Sequence, residues 1–194
     1  KAAQALQMTP HDFGKLYCDC YLGSTSRMPI VRLMPRGSIK RCPLLKNRKC
    51  MIHDAKPAVC AMFPLGRAIR IDKKDAEKDK LPPMKVEYII NDIDCGDNSE
   101  THTVKGWLES FGIPLNDEYF IEWQKTISLL SPRIQKLEKM LSDEVCDKLI
   151  DVLFIKLYLD YDMKADFFPQ FVENAGDCVK MVKMVLALQN EEAV

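Results

Sequence analysis

From Thr103 onward, apolar side chains recur every three or four positions, the spacing of helices that each bury one stripe. Thr103 is placed to cap a helix carrying Val104, Trp107, Leu108 and Phe111, which Gly112 stops. Asn116 and Asp117 open a second, striped by Phe120, Trp123, Ile127 and Leu130. Ser131-Pro132 predicts the start of a third, with Ile134, Leu137 and Leu141, because proline suits a first helical turn. Ser142-Asp143-Glu144 opens a fourth, with Leu149, Leu153, Ile155 and Leu159, and a last pair is expected near 167–174 and 177–189. At the other end, residues 2–8 read as the end of a helix. Thr9-Pro10-His11-Asp12 then caps a short one bearing Phe13, Leu16 and Tyr17. That helix pair is not basic, so its spacing indicates packing rather than DNA recognition.

Residues 21–95 follow a different pattern. Short β-type runs at 30–34, 68–71 and 86–90 alternate with loops rich in proline, glycine and lysine. Asp72 to Lys80 reads as a charged, solvated loop. The expected fold is therefore α+β and mostly α: a loop-rich, cysteine-bearing region with a small β-sheet, followed by a C-terminal helical bundle. The composition changes near 97–103, which suggests a cysteine region over 1–102 and a helical region over 103–194 packed against it.

Charge narrows the partners. Lys+Arg and Asp+Glu are both 28, so no net positive field favours nucleic acid or an anionic membrane surface. No apolar run approaches the ~18–20 residues of a bilayer span. The chain begins Lys1-Ala2-Ala3 without a signal-peptide pattern, so cytoplasmic placement is expected, with some native residues preceding Lys1.

Cysteine is the unusual component, 8 of 194 residues, too sparse for a secreted disulfide scaffold. Cys146 and Cys178 sit within helical apolar patterns and read as buried thiols. Cys42, Cys50, Cys60 and Cys95 instead lie among turn formers and polar residues. A loop-dominated stretch of this length must offset about 1–2 kcal/mol of ordering entropy per residue, which calls for a cross-link. In a reducing compartment, metal–thiolate bonds are favoured over disulfides. The spacing Cys42-x7-Cys50-x9-Cys60-x34-Cys95 is not that of an ordinary zinc knuckle. Four thiolates suit tetrahedral zinc or an iron–sulfur cluster, and a buried thiol remains the alternative reading of any one of the four.

More information lies in the string Cys42-Pro43-Leu44-Leu45, Cys50-Met51-Ile52-His53-Asp54, Pro57 and Cys60-x2-Phe63-Pro64. It resembles the YkgJ-type cysteine-cluster family, described as zinc- or iron-chelating and including flagellin lysine N-methylases. Leu6 to Phe13 is similar to that family's N-terminal helix pair. Asp94-Cys95-Gly96 with Thr103-Val104-Lys105-Gly106-Trp107-Leu108 is similar to a further segment of it. The resemblance covers about residues 1–112. It implies that Cys42, Cys50, Cys60 and Cys95 are the metal ligands, holding an iron–sulfur cluster or Zn2+, with the all-thiolate spacing favouring iron–sulfur. It also exposes departures. The family's early cysteine cluster would precede Lys1, and Cys18 and Cys20 match no family position. His53 stands for a tyrosine, Lys56 for an arginine, and Ala61 for the arginine after the third cysteine. His53 is either an extra ligand or a surface residue.

Three functions compete on this reading. They are a metal-chelating domain, a protein-modifying transferase like the lysine N-methylases, and an interaction module whose helices dock a protein partner. No glycine-rich strand–loop–helix motif is present to cradle S-adenosylmethionine, and no C-x3-C-x2-C offers an open iron. His11, His53 and His102 are not in H-E-x-x-H spacing, and no nucleophile elbow is present.

Overall fold

Side-chain caps fix several of the helix starts. The computed structural model describes residues 1–71, 84–91 and 99–191, an α+β arrangement that is mostly helical. In chain order its α-helices are α1 (Ala2–Ala5), α2 (Pro10–Tyr17), α3 (Ala58–Met62), α4 (Val104–Glu109), α5 (Glu118–Leu137), α6 (Asp143–Phe154) and α7 (Phe167–Glu191). Its strands are β1 (Cys18–Leu22), β2 (Pro29–Leu33), β3 (Leu45–Lys46), β4 (Lys49–Cys50), β5 (Leu65–Ile71) and β6 (Met84–Ile90). They form three two-stranded antiparallel ribbons, β1–β2, β3–β4 and β5–β6.

The Thr9 hydroxyl accepts the Asp12 N–H at 3.1 Å and donates to the Asp12 carboxylate at 2.7 Å, closing the first turn of α2. Thr103 Oγ1 accepts the Gly106 N–H at 3.1 Å and starts α4 in the same way. Asp117 Oδ1 accepts the Phe120 N–H at 3.3 Å at the head of α5. Gly112, at φ +64°, supplies the left-handed backbone that turns the chain after α4.

Three expectations about the helical half are corrected. Pro132 does not open a helix but lies inside α5. The buried residues Thr126, Leu130, Ile134 and Leu137 form one stripe that runs through the proline, and burying that stripe outweighs the missing N–H. Residues 167–191 likewise form one helix, not two. Phe171, Ala175, Cys178 and Val182 are spaced at four, three and four, so their common face carries the helix through Gly176. After α6 a five-residue π-helical turn, Ile155–Leu159, follows directly. Ile155, expected in the stripe, is exposed, and Leu157, one turn beyond Leu153, is buried instead.

The chain divides into two compact units, Lys1–Ile52 with Lys125–Val194, and His53–Gln124. The composition change near 97–103 therefore falls inside the second unit. In the first, Arg27 pairs with Glu138 at 2.7 Å and Gln135 donates to the Thr25 carbonyl at 2.7 Å, tying the β1–β2 turn to α5. Tyr158 donates to the Pro29 carbonyl at 2.9 Å. In the second, Ala61, Met62, Leu65, Leu108 and Ile113 make the core, with Trp107 and Phe111 packed against it. Trp107 Nε1 donates to the Met62 carbonyl at 3.1 Å, so the partly buried indole has its polar partner. Arg67 pairs with Asp117 at 2.6 Å, and its guanidinium lies 4.0 Å from the centre of the Phe120 ring. The charged stretch 72–80 lies outside the described residues. No helix among the described residues is long and apolar enough to cross a membrane.

Candidate metal centre

Between Met34 and Pro57 the backbone has little regular structure. An isolated bridge joins Arg36 to Arg41, with reciprocal N–H to carbonyl bonds of 2.8 and 2.9 Å. Cys42 follows immediately and is exposed, whereas Pro43 and Leu44 behind it are buried. The Cys42 carbonyl accepts the Leu45 N–H at 3.2 Å, and β3 begins there. The chain then reverses through Asn47 and Arg48, both at positive φ (50° and 61°), as a two-residue type I′ hairpin demands. Cys50 leaves that hairpin paired with Leu45, its side chain half-buried. Ile52, buried, pins the far end. Cys42 and Cys50 thus bracket one small hairpin, anchored by Leu44 and Ile52 while neither cysteine is used in the core.

Cys60 is set differently. Pro57, at ψ 141°, leads into α3, and its carbonyl accepts the Cys60 N–H at 2.9 Å. Ala61 and Met62 turn into the core of the second unit, and Cys60 stays exposed. His53 is exposed at the start of a one-turn 3-10 helix, His53–Ala55. Lys56 is half-buried, with its ammonium 5.5 Å from the centre of the Phe111 ring.

The four expected ligands are therefore distributed as follows. Cys42 and Cys50 belong to the first unit and Cys60 to the second, and Cys95 lies outside the described residues. Among the described residues, no three His, Cys, Asp or Glu side chains gather as a metal-binding group. None of the seven described cysteines is in a disulfide.

The remaining thiols are distinct in character. Cys178 is 1% exposed, and burial pushes its thiol up to about 11, with Asp177 adding to the rise and Lys156 opposing it. That is the packed thiol its helical stripe predicts. Cys146 is half-buried, and burial, then Glu138, Asp143 and Asp147, raise its thiol above the usual range. Cys18 and Cys20 lie on β1, a strand that the sequence patterns do not signal.

The structure also places a cleft of about 440 Å³ in the second unit that sequence reasoning does not anticipate. Pro64, Leu65, Ile90, Val104 and Trp107 line its apolar side, and Ser99, Glu100, His102 and Thr103 its polar side. His102 Nε2 lies 3.1 Å from a Glu100 oxygen, and its ring centre is 5.3 Å from that of Trp107. These residues come from the starts of β5 and α4, the end of β6 and the segment before α4, brought together by the β5–β6 pairing and by the Trp107–Met62 bond. No protein-family model, no curated protein and no solved structure matches this chain.

Proposed function

We propose that this protein chelates a soft metal centre, zinc or an iron–sulfur cluster, through the thiolates of Cys42, Cys50, Cys60 and Cys95, as the YkgJ-type resemblance implies. One observation carries the reading. The segment 34–57, with little regular structure, presents Cys42 and Cys50 outside the core although its buried anchors are only Pro43, Leu44 and Ile52. A segment with so little buried apolar surface gains from a metal–thiolate cross-link, because metal binding free energy is then folding free energy. Cys60, exposed beside two buried neighbours on α3, fits the same pattern. Bound there, the metal would supply structural cross-linking and, if it is a cluster, electron transfer.

The test is elemental analysis and ultraviolet–visible absorption of the anaerobically purified full chain. It is run beside Cys42→Ser, Cys50→Ser, Cys60→Ser and Cys95→Ser, with Cys146→Ser as the control. The expected result is loss of bound metal together with a lower melting temperature in the first four, and unchanged metal in Cys146→Ser. A visible charge-transfer band identifies a cluster, and its absence with stoichiometric zinc identifies zinc. Equal metal content in all five variants overturns the proposal.

A further inference from the structure

β1 carries two thiols on a single face. Side chains alternate along a strand, so Cys18, Cys20 and Leu22 point one way and Asp19 and Tyr21 the other. The second face is already committed: Arg32 pairs with Asp19 at 3.1 Å and lies 4.9 Å from the centre of the Tyr21 ring. On the first face the cross-strand partners of Cys18 and Cys20 are Leu33 and Val31, whose side chains offer no donor or acceptor. Cys18 is half-buried and Cys20 exposed, so the pair is open to solvent at one end.

Strand geometry limits what such a pair can do. With a rise of about 3.2–3.4 Å per residue, positions i and i+2 stand about 6.4–6.8 Å apart, and their Cβ vectors run parallel. A disulfide needs Cβ atoms about 3.5–4.5 Å apart, so these thiols do not close on each other while the ladder holds. Two sulfurs on opposite sides of one ion, at a metal–thiolate bond of about 2.3 Å, are about 4.6 Å apart, and side chains on this face reach that span by tilting together. Zinc asks for four ligands. Among the described residues no third or fourth His, Cys, Asp or Glu completes a cage here.

We infer that Cys18 and Cys20 form a two-thiolate site for a soft, linearly coordinated monovalent cation of the copper(I) or silver(I) class. Binding breaks two S–H bonds and forms two S–metal bonds; both protons leave to solvent and no electron moves. The site is separate from the set formed by Cys42, Cys50, Cys60 and Cys95 and does not depend on it.

The experiment is an alkylation footprint on the full chain in chloride-free buffer, with silver(I) as the probe at zero to four equivalents. Iodoacetamide labelling of each cysteine is read by peptide mass spectrometry. Cys18 and Cys20 are expected to become protected together, at least tenfold, at the same silver equivalent. In Cys18→Ser the protection of Cys20 is expected to disappear. Unchanged labelling of Cys20 in wild-type protein at four equivalents overturns the inference, as does protection of Cys20 that survives Cys18→Ser. The wild-type measurement needs no variant to fold. Protection of Cys42, Cys50 or Cys60 in the same digest reports separately on the proposed four-thiolate centre.

Discussion

Replacing Pro132 with alanine is expected to stabilise the protein, a direction that follows only if the proline is internal to a helix. Pro132 is solvent-exposed within α5 and removes the N–H that would bond one turn back. In a helix interior proline is about 3 kcal/mol less favourable than alanine. Against this, alanine frees the unfolded chain, which returns about 0.4–1 kcal/mol. The net expectation is about 2 kcal/mol of added stability. The same turn carries a supplementary donor: the Arg133 guanidinium bonds the Leu129 carbonyl at 2.5 Å. Arg133→Ala should cost the same beside Pro132 as in the Pro132→Ala background, because the N–H that the proline lacks is the one that would bond Ser128, not Leu129. Urea unfolding of the four proteins, followed by far-ultraviolet circular dichroism at constant m-value, gives the cycle. A neutral or destabilising Pro132→Ala would refute the argument and place the proline in a first turn, where its missing N–H costs nothing.

Asp117 both pairs with Arg67 and caps α5, and the Arg67 and Asp117 side chains are only 8% and 15% exposed. Asp117→Ala should cost about 3–5 kcal/mol for the broken pair, with about 1 kcal/mol more for the cap. Asp117→Asn keeps the capping oxygen, so denaturant titrations giving equal stabilities for the two variants would contradict the double role. Cys178 should resist iodoacetamide in the native protein at pH 8 while exposed Cys20 and Cys42 react, and should be modified only on unfolding. Its raised thiol also sets a pH dependence. The unfolded thiol ionises near ~8.5 and the native one near about 11, so stability is full below ~8.5 and falls as pH climbs toward 11. The fall is about 2–3 kcal/mol for two pH units at about 1.4 kcal/mol each. Urea midpoints at pH 8 and 10.5 should separate wild type from Cys178→Val by that slope, and an identical fall in both would remove the assignment.

Helix starts were legible where a capping side chain accepts the first-turn N–H beside an apolar stripe. Thr9, Thr103 and Asp117 each accept the N–H that their sequence position forecasts. Helix ends were less legible, because a local breaker competes with a stripe whose burial depends on distant residues. Pro132 and the interval between 174 and 177 both read as boundaries and both lie within helices, since Leu130 with Ile134, and Ala175 with Cys178, continue the buried face across them. The β1 strand was missed for a related reason. Tyr17 ends α2 and Cys18 begins β1 without an intervening glycine or proline, and the strand's pairing, Cys18 with Leu33 and Cys20 with Val31, is set across a turn rather than by its own residues.

The thiols show how far spacing alone can go. Cys178 stands seven positions after Phe171 and four before Val182, so helical geometry alone places it in the core, where its burial disfavours the thiolate a metal needs. Cys42 and Cys50 are defined by the opposite circumstance: the residues around them, Leu44 and Ile52, take the burial and leave Cys42 exposed and Cys50 half-buried. That contrast is local, since it follows from which neighbours of each cysteine are apolar and at what spacing. Convergence is another matter, because intervals of seven, nine and thirty-four residues fix only the contour length between sulfurs, and loop closure permits many arrangements at similar entropic cost. Cys18 and Cys20 escape this difficulty, since one intervening residue in a strand dictates their separation directly. The same rule that bars a disulfide between them leaves room for one ion, so a two-residue motif makes a sharper chemical claim than four cysteines dispersed from Cys42 to Cys95.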